Sequence, residues 1–317
     1  MMDSDVLVRV KGLVKDFRPG LGIVKKRVLH GIDFEVKRGE LFGFIGPNGA
    51  GKTTTLKILM GLIRATEGEA QVLGHDVRET AFREHIGFAP ESPYFYDFLT
   101  GAETLEFYAR LSGLPRPRRR ERVREVLELV GLSAAAGARL RTYSKGMLQR
   151  IAIAQAIVHD PSVVFLDEPM SGLDPVGRKE IRDLVVRLSA DGKTIFMNTH
   201  ILSDVETICD RVAIIVQGRI AYQGQLGGVL PTGDRQLDVT LSALSPEIAE
   251  EAETRFDAKL SGRADRITLR VSQKHVNELM QVAIAHGAVI EEVAPVRADL
   301  ESLFLDAVAG RIQGGAR

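Results

Sequence analysis

The stretch Gly46-Pro47-Asn48-Gly49-Ala50-Gly51-Lys52-Thr53 carries the spacing G-x-x-x-x-G-K-[ST]. These residue types suit one task, the holding of nucleotide phosphates. Glycines let the backbone wrap closely, so that successive N–H groups point at phosphate oxygens. A helix beginning near Lys52 adds the positive end of its dipole. Lys52 reaches the β- and γ-phosphates as a point charge, and the Thr53 hydroxyl suits Mg²⁺. Downstream, four apolar residues, Val163 to Leu166, run into Asp167 and Glu168. With a phosphate loop upstream, Asp167 is expected beside Mg²⁺, directly or through a water. Glu168 is expected to act as general base on the attacking water, or to orient it. His200 follows a third apolar stretch, Ile195 to Asn198. At the end of a parallel strand it would meet the γ-phosphate.

Only converging strand ends can bring these residues together. Leu41 to Ile45 reads as a buried strand. After the glycine turn, Lys52 to Met60 reads as a helix with Leu56, Leu59 and Met60 on one face, ending near Gly61. Ile32 to Val36 alternates like a half-buried strand. Val163 to Leu166, Thr194 to Asn198 and Val212 to Val216 read as further strands. The last continues through Gln217-Gly218 into a hairpin. Between about Pro90 and His159 the texture is helical. Val123, Val126, Leu127 and Val130 recur at helical spacing, and Ser144 suits the N-cap of a helix carrying Met147, Ile151, Ala154 and Val158. The pattern predicts an α/β core with a helical insert.

From Leu226 the chain changes character. Gly227, Gly228, Pro231 and Gly233 read as a linker. Strands at Gln236 to Leu241, Arg266 to Val271 and Val289 to Val293 then alternate with helices at Pro246 to Phe256, Val276 to His286 and Leu300 to Val308. This predicts a small α+β domain with a frayed tail from Arg311. The expected division is 1–225, with its helical subdomain at about 90–159, and 226–317.

Lys plus Arg and Asp plus Glu both number 42, so nothing global marks a nucleic-acid binder. Cys209 is the only cysteine, which excludes an intrachain disulfide. No apolar run approaches the ~18 to 20 residues that span a bilayer, and Met1 to Val10 has no leader-like apolar core. The expectation is a soluble chain whose membrane part, if it serves one, is another subunit.

Taken together, the motifs resemble those of the ABC ATPase family, over roughly Val6 to Gly224. Gly46 to Thr53 resembles the Walker A motif, Val163 to Glu168 the Walker B, and Ser171-Gly172-Leu173-Asp174 the D-loop; His200 sits at the switch-histidine position. Tyr143-Ser144-Lys145-Gly146-Met147 resembles the signature usually written LSGGQ, extended by Gln149 to Ala154. The resemblance implies a P-loop ABC ATPase core that binds ATP with Mg²⁺. It implies nucleotide contacts from Gly46 through Lys52, Thr53 and Thr54. Phe17 stands at the place of the aromatic that stacks on adenine, before a basic stretch, Arg18 to Arg27, that is longer than usual. It also implies a head-to-tail dimer of two copies, in which Ser144, Gly146 and Asp174 of one chain meet ATP held by the other. Ser144 can serve as a helix cap at the same time.

Two positions depart from the family pattern. Lys145 adds a cation to the signature, near phosphate or facing solvent. Glu91, in Pro90-Glu91-Ser92, stands where glutamine is usual. It keeps an oxygen ligand for Mg²⁺ but adds negative charge there. Ala298 to Leu305 resembles the tail of ATPases from drug, polysaccharide and lipid-type exporters; a generic dimerisation or regulatory domain is the other reading. The run Pro115-Arg116-Pro117-Arg118-Arg119-Arg120 suits either anionic headgroups or a solvated loop. The family implies a transport motor on the cytoplasmic face of a membrane, coupled to separate permease subunits, with no specific nucleic acid. The alternative is a non-transport ATPase acting as a regulator or in DNA repair or translation.

Overall fold

The computed structural model describes residues 5–18, 25–226, 236–243, 245–263, 266–295 and 300–310. The expected linker at Gly227 to Gly233, most of the basic stretch after Arg18, Ala298-Asp299 and the tail from Arg311 lie outside the described residues. The chain divides into two compact units, one running to Leu226 and taking in the segment from Phe304, the other lying between Gly227 and Leu303.

The first unit opens with β1 (Val6–Phe17), β2 (Lys26–Lys37), β3 (Leu41–Ile45), α1 (Lys52–Leu59), β4 (Glu67–Val72), β5 (His75–Asp76) and β6 (Ile86–Ala89). Then come α2 (Gly101–Leu111), α3 (Arg116–Leu129) and α4 (Lys145–Ile157). It continues with β7 (Val163–Asp167), α5 (Pro175–Ala190), β8 (Thr194–Thr199), α6 (Leu202–Ile208), β9 (Arg211–Val216) and β10 (Arg219–Gln225). Two sheets form. One is antiparallel, in the order β2-β1-β4-β5; the other runs β10-β9-β3-β8-β7-β6. In the second, every neighbouring pair is parallel except β10 with β9.

The residues of β3, β7 and β8 are all buried, as their near-continuous apolar runs require of strands covered on both faces. Phenylalanines fill the space between the sheets. Phe34 of β2 lies 5.9 Å from Phe42 and 5.3 Å from Phe44 of β3, and Phe196 of β8 lies 5.7 Å from Phe42. Such ring spacings are those of closely packed aromatic pairs.

The helical insert starts later than its sequence texture predicts. No helix forms between β6 and Gly101 among the described residues. Thr100 then starts α2 with a capping box, its hydroxyl accepting from Glu103 N–H while Glu103 accepts from Thr100 N–H.

The second unit holds β11 (Gln236–Ser242), α7 (Pro246–Phe256), β12 (Lys259–Arg263), β13 (Arg266–Ser272), α8 (Val276–Ala285) and β14 (Val289–Pro295). Its sheet is antiparallel in the order β12-β13-β11-β14. Val239, Leu241, Leu269 and Val271 pack with Phe256 and Leu279 in a core of their own. The last element is α9 (Leu300–Val308).

Candidate nucleotide site

Four adjacent parallel strands, β3-β8-β7-β6, end on one edge of the second sheet. Ile45 pairs with Thr199, Asp167 with Asn198, and Ala89 with Leu166. The residues just beyond those ends are therefore neighbours: Gly46, His200, Glu168 and, two residues past β6, Glu91. His200, Glu168 and Glu91 surround a cavity of about 530 Å³ together with Pro47, Asn48, Gly49, Gly51, Lys52, Thr53 and Thr54.

The loop's glycines have steric reasons. Gly51 caps α1 at φ 113°, and a Cβ there would lie 2.7 Å from Leu29 Cδ2. Gly49 also has positive φ, 81°. A Cβ on Gly46 would sit 2.3 Å from the Ile215 carbonyl oxygen, which is backbone and cannot turn aside. Gly46→Ala is thus expected to lose roughly 1–3 kcal/mol of stability by overpacking and to weaken nucleotide binding as the loop shifts. Thermal denaturation and nucleotide titration check both effects.

Lys52 is nearly buried, and its Nζ donates to the Gly46 carbonyl at 2.6 Å. The same Nζ lies 3.5 Å from Glu168 Oε1. Glu168 Oε2 lies 2.8 Å from His200 Nδ1 and accepts from His200 N–H at 3.3 Å. Glu168 has φ 50°, a costly conformation for a residue with a side chain, held here by its N–H donating to the Asn198 carbonyl at 2.9 Å. Strain of this kind persists where the surrounding structure fixes a side chain's direction. Here it places one carboxylate between a lysine and a histidine.

Asp167 is buried, and Asn198 Nδ2 donates to its Oδ1 at 3.0 Å. Burial pushes its carboxyl above the usual range; the Asn198 bond opposes this, and the charges of Glu168 and Glu91 reinforce it. Ser171 Oγ donates to Glu91 Oε1 at 3.3 Å, tying the segment after β6 to that after β7. Among the described residues no three His, Cys, Asp or Glu side chains are grouped for a metal. Thr53, Asp167 and Glu91 supply a hydroxyl and carboxylates, the hard oxygen donors that suit Mg²⁺ when phosphate oxygens complete its shell.

Several residues singled out from sequence lie outside the cavity lining. Phe17 is 39% exposed, pairs with Lys26 across β1 and β2, and has Lys15 Nζ 4.8 Å from its ring centre. Lys26 and Val28 line the cavity instead, a wall that the sequence reading missed. Their only signal was position, since β2 leads back from Phe17 towards the loop. Ser144 caps α4 by accepting from Met147 N–H at 3.2 Å, and Asp174 caps α5 by accepting from Gly177 N–H at 2.7 Å. Gly146 lies in the first turn of α4. Lys145 Nζ approaches Gly172 so closely that a Cβ there would fall within its contact distance. The signature segment therefore lies against the D-loop within one chain. Ser144→Ala is expected to cost about 1 kcal/mol as the cap is lost, read as a lowered melting temperature.

The family model described as "ABC transporter" matches residues 29–171. An uncharacterized ABC transporter ATP-binding protein of Nostoc sp. is 48% identical over 71% of this chain and 68% of its own length. A fluoroquinolones export ATP-binding protein of Mycobacterium tuberculosis is 41% identical over 68% of this chain and 69% of its own. A solved dimeric ATP-binding cassette, in a post-hydrolysis state bound to ADP and Pi, superposes with a TM-score of 0.64 at 26% identity, covering 70% of this chain and all of that one. The chain belongs to the ABC transporter ATP-binding proteins, ATPases built on the ATP-binding cassette fold.

Proposed function

We propose that this chain is the motor of an exporter and works as a head-to-tail pair of copies on the cytoplasmic face of a membrane, bound to separate permease subunits. Mg²⁺-ATP sits in the cavity beside the glycine loop, with Lys52 on the β- and γ-phosphates and Thr53, Asp167 and Glu91 towards the metal. Glu168 orients or deprotonates the attacking water, and His200 contacts the γ-phosphate while holding Glu168 in place. Ser144, Gly146 and Asp174 of the second copy close the site from the other side. In this reading residues 1–225 form the ATPase domain and 226–317 an accessory domain.

The observation that carries this reading is the linked row Lys52–Glu168–His200 at the mouth of the phosphate loop. A base beside the position of the γ-phosphate is what positioning catalysis of phosphoryl transfer needs. The M. tuberculosis relative's name supports export, and the dimeric cassette supports the pairing. Among the described residues no helix is long and apolar enough to cross a membrane.

The pairing is tested by light scattering on the Glu168→Gln chain, in which ATP should persist. With Mg²⁺-ATP its mass should double from 34.7 kDa, and without nucleotide it should not. A single mass under both conditions, with nucleotide bound, would remove the sandwich dimer from the proposal.

A further inference from the structure

We propose that the turn joining α2 to α3 is a membrane-contact surface that takes the phosphate groups of anionic lipid headgroups. The segment reads Arg110-Leu-Ser-Gly-Leu-Pro-Arg-Pro-Arg-Arg-Arg120, with arginine at 110, 116, 118, 119 and 120 and no acid. Two of the five arginines are already paired. Arg118 meets Glu121 at 2.7 Å and Glu125 at 3.1 Å, and Arg119 reaches Glu106 at 3.6 Å. Arg110, Arg116 and Arg120 have no side-chain partner among the described residues.

These three arginines line two adjoining grooves that also contain Glu103 and Glu106. The acids do not answer them. Glu103 is engaged by the N–H and hydroxyl of Thr100 at 2.8 and 2.9 Å, and Glu106 is turned to Arg119. Arg119 Nε is buried with no hydrogen-bond partner. The groove therefore offers three guanidinium groups that have no side-chain partner among the described residues.

Helix α3 gives an independent reason. Its N-cap is Pro115, with no side-chain cap, and its first turn holds no acid. Four of its first five residues, Arg116 to Arg120 with Pro117 between, are arginines. A helix start is the positive end of the dipole, where cations repel and anions stabilise. An arginine cluster there is unfavourable until an anion joins it.

Exposed apolar side chains favour a bilayer over a free anion. Leu111 is 66% exposed and Phe107 39%, and both flank the arginines. Inorganic phosphate offers nothing to Leu111, whereas the headgroup–acyl boundary takes the leucine and the arginines together. Arginines beside an exposed leucine, with the nearby acids already engaged, are the composition of a surface that rests on headgroups.

The test uses the full chain and flotation with vesicles of phosphatidylcholine, with or without phosphatidylglycerol. The expected result is preference for the phosphatidylglycerol vesicles that falls with added salt. Arg110→Gln, Arg116→Gln and Arg120→Gln should each weaken it about fivefold, and the triple variant roughly 100-fold. ATP turnover of the triple variant should match that of the parent, which shows that it folds. Leu111→Ser should weaken partition too. The proposal is overturned if the parent shows no preference between the vesicles, or if the triple variant keeps parental partition. It is also overturned if inorganic phosphate at matched ionic strength displaces the vesicles while Leu111→Ser has no effect. That result would mark a site for soluble anions.

Discussion

Replacing Glu168 by glutamine is expected to lower Mg²⁺-dependent ATP turnover about 100- to 10,000-fold while leaving ATP affinity within a few-fold. The reason lies in the two faces of one carboxylate. Oε1 faces Lys52 at 3.5 Å and Oε2 faces His200 Nδ1 at 2.8 Å. Glutamine keeps the size and one acceptor oxygen but cannot take a proton from water. It also turns the contact with Lys52 from an ion pair into at most a dipole interaction. Because Glu168 sits at φ 50° and the backbone bond to Asn198 fixes that turn, the amide should occupy the same place. Steady-state turnover and nucleotide titration on the same preparation separate the two effects. Turnover within tenfold of the parent would remove Glu168 from the chemistry.

Replacing Lys52 by methionine is expected to act on binding and turnover together, with turnover down roughly 100-fold or more. Nζ is the cation nearest the loop, held by the Gly46 carbonyl at 2.6 Å and by Glu168. Its loss removes the charge that meets the phosphates. It also leaves Glu168 buried with only His200 as a partner, and a buried carboxylate that loses its lysine is less stable. Two readouts should therefore move. ATP affinity falls, and the nucleotide-free protein melts at a lower temperature than the parent. A variant that binds ATP normally would contradict the role given to Lys52.

The site was legible in sequence wherever a strand is buried on both faces. β3, β7 and β8 appear as apolar runs that stop sharply at a glycine loop, at Asp167-Glu168 and before His200. A run buried on both faces is mostly apolar, so the change to Asp167 in β7 and to Asn198 in β8 marks where each strand nears its end. The antiparallel sheet was legible only at β2. β1 carries Arg9, Lys11 and Lys15 among its apolar residues, and its pairing with β2 shifts register between Val10 and Leu13 and between Lys15 and Asp16. A strand that shifts in this way loses its simple alternation. The cavity wall at Lys26 and Val28 was hidden for the same reason, since it depends on that pairing.

Side-chain partners were less legible than strand ends. Asn198 reads as the polar end of an apolar strand, yet it is the group that orients Asp167. Its role follows from the register of β7 on β8, which no local pattern encodes. Ser144 was recognisable because a helix cap has a local signature, and it does cap its helix; Asp174 was singled out only by resemblance to the D-loop, and its cap on α5 is a further finding. A contribution from them to ATP held by another copy depends on pairing between chains, which a single chain's pattern reaches only through family resemblance.

That pairing is tested most directly by mixing two inactive variants of the full chain, Lys52→Met and Gly146→Asp. In a head-to-tail pair each ATP site takes its phosphate loop from one copy and its signature from the other. A mixed dimer then holds one site with both defects and one with neither. The expected result is that each variant alone is nearly inactive and that the mixture regains clear Mg²⁺-dependent ATP turnover. A mixture as inactive as its parts, with mixed dimers shown to form, would contradict the proposal that the signature of one copy serves the nucleotide of the other.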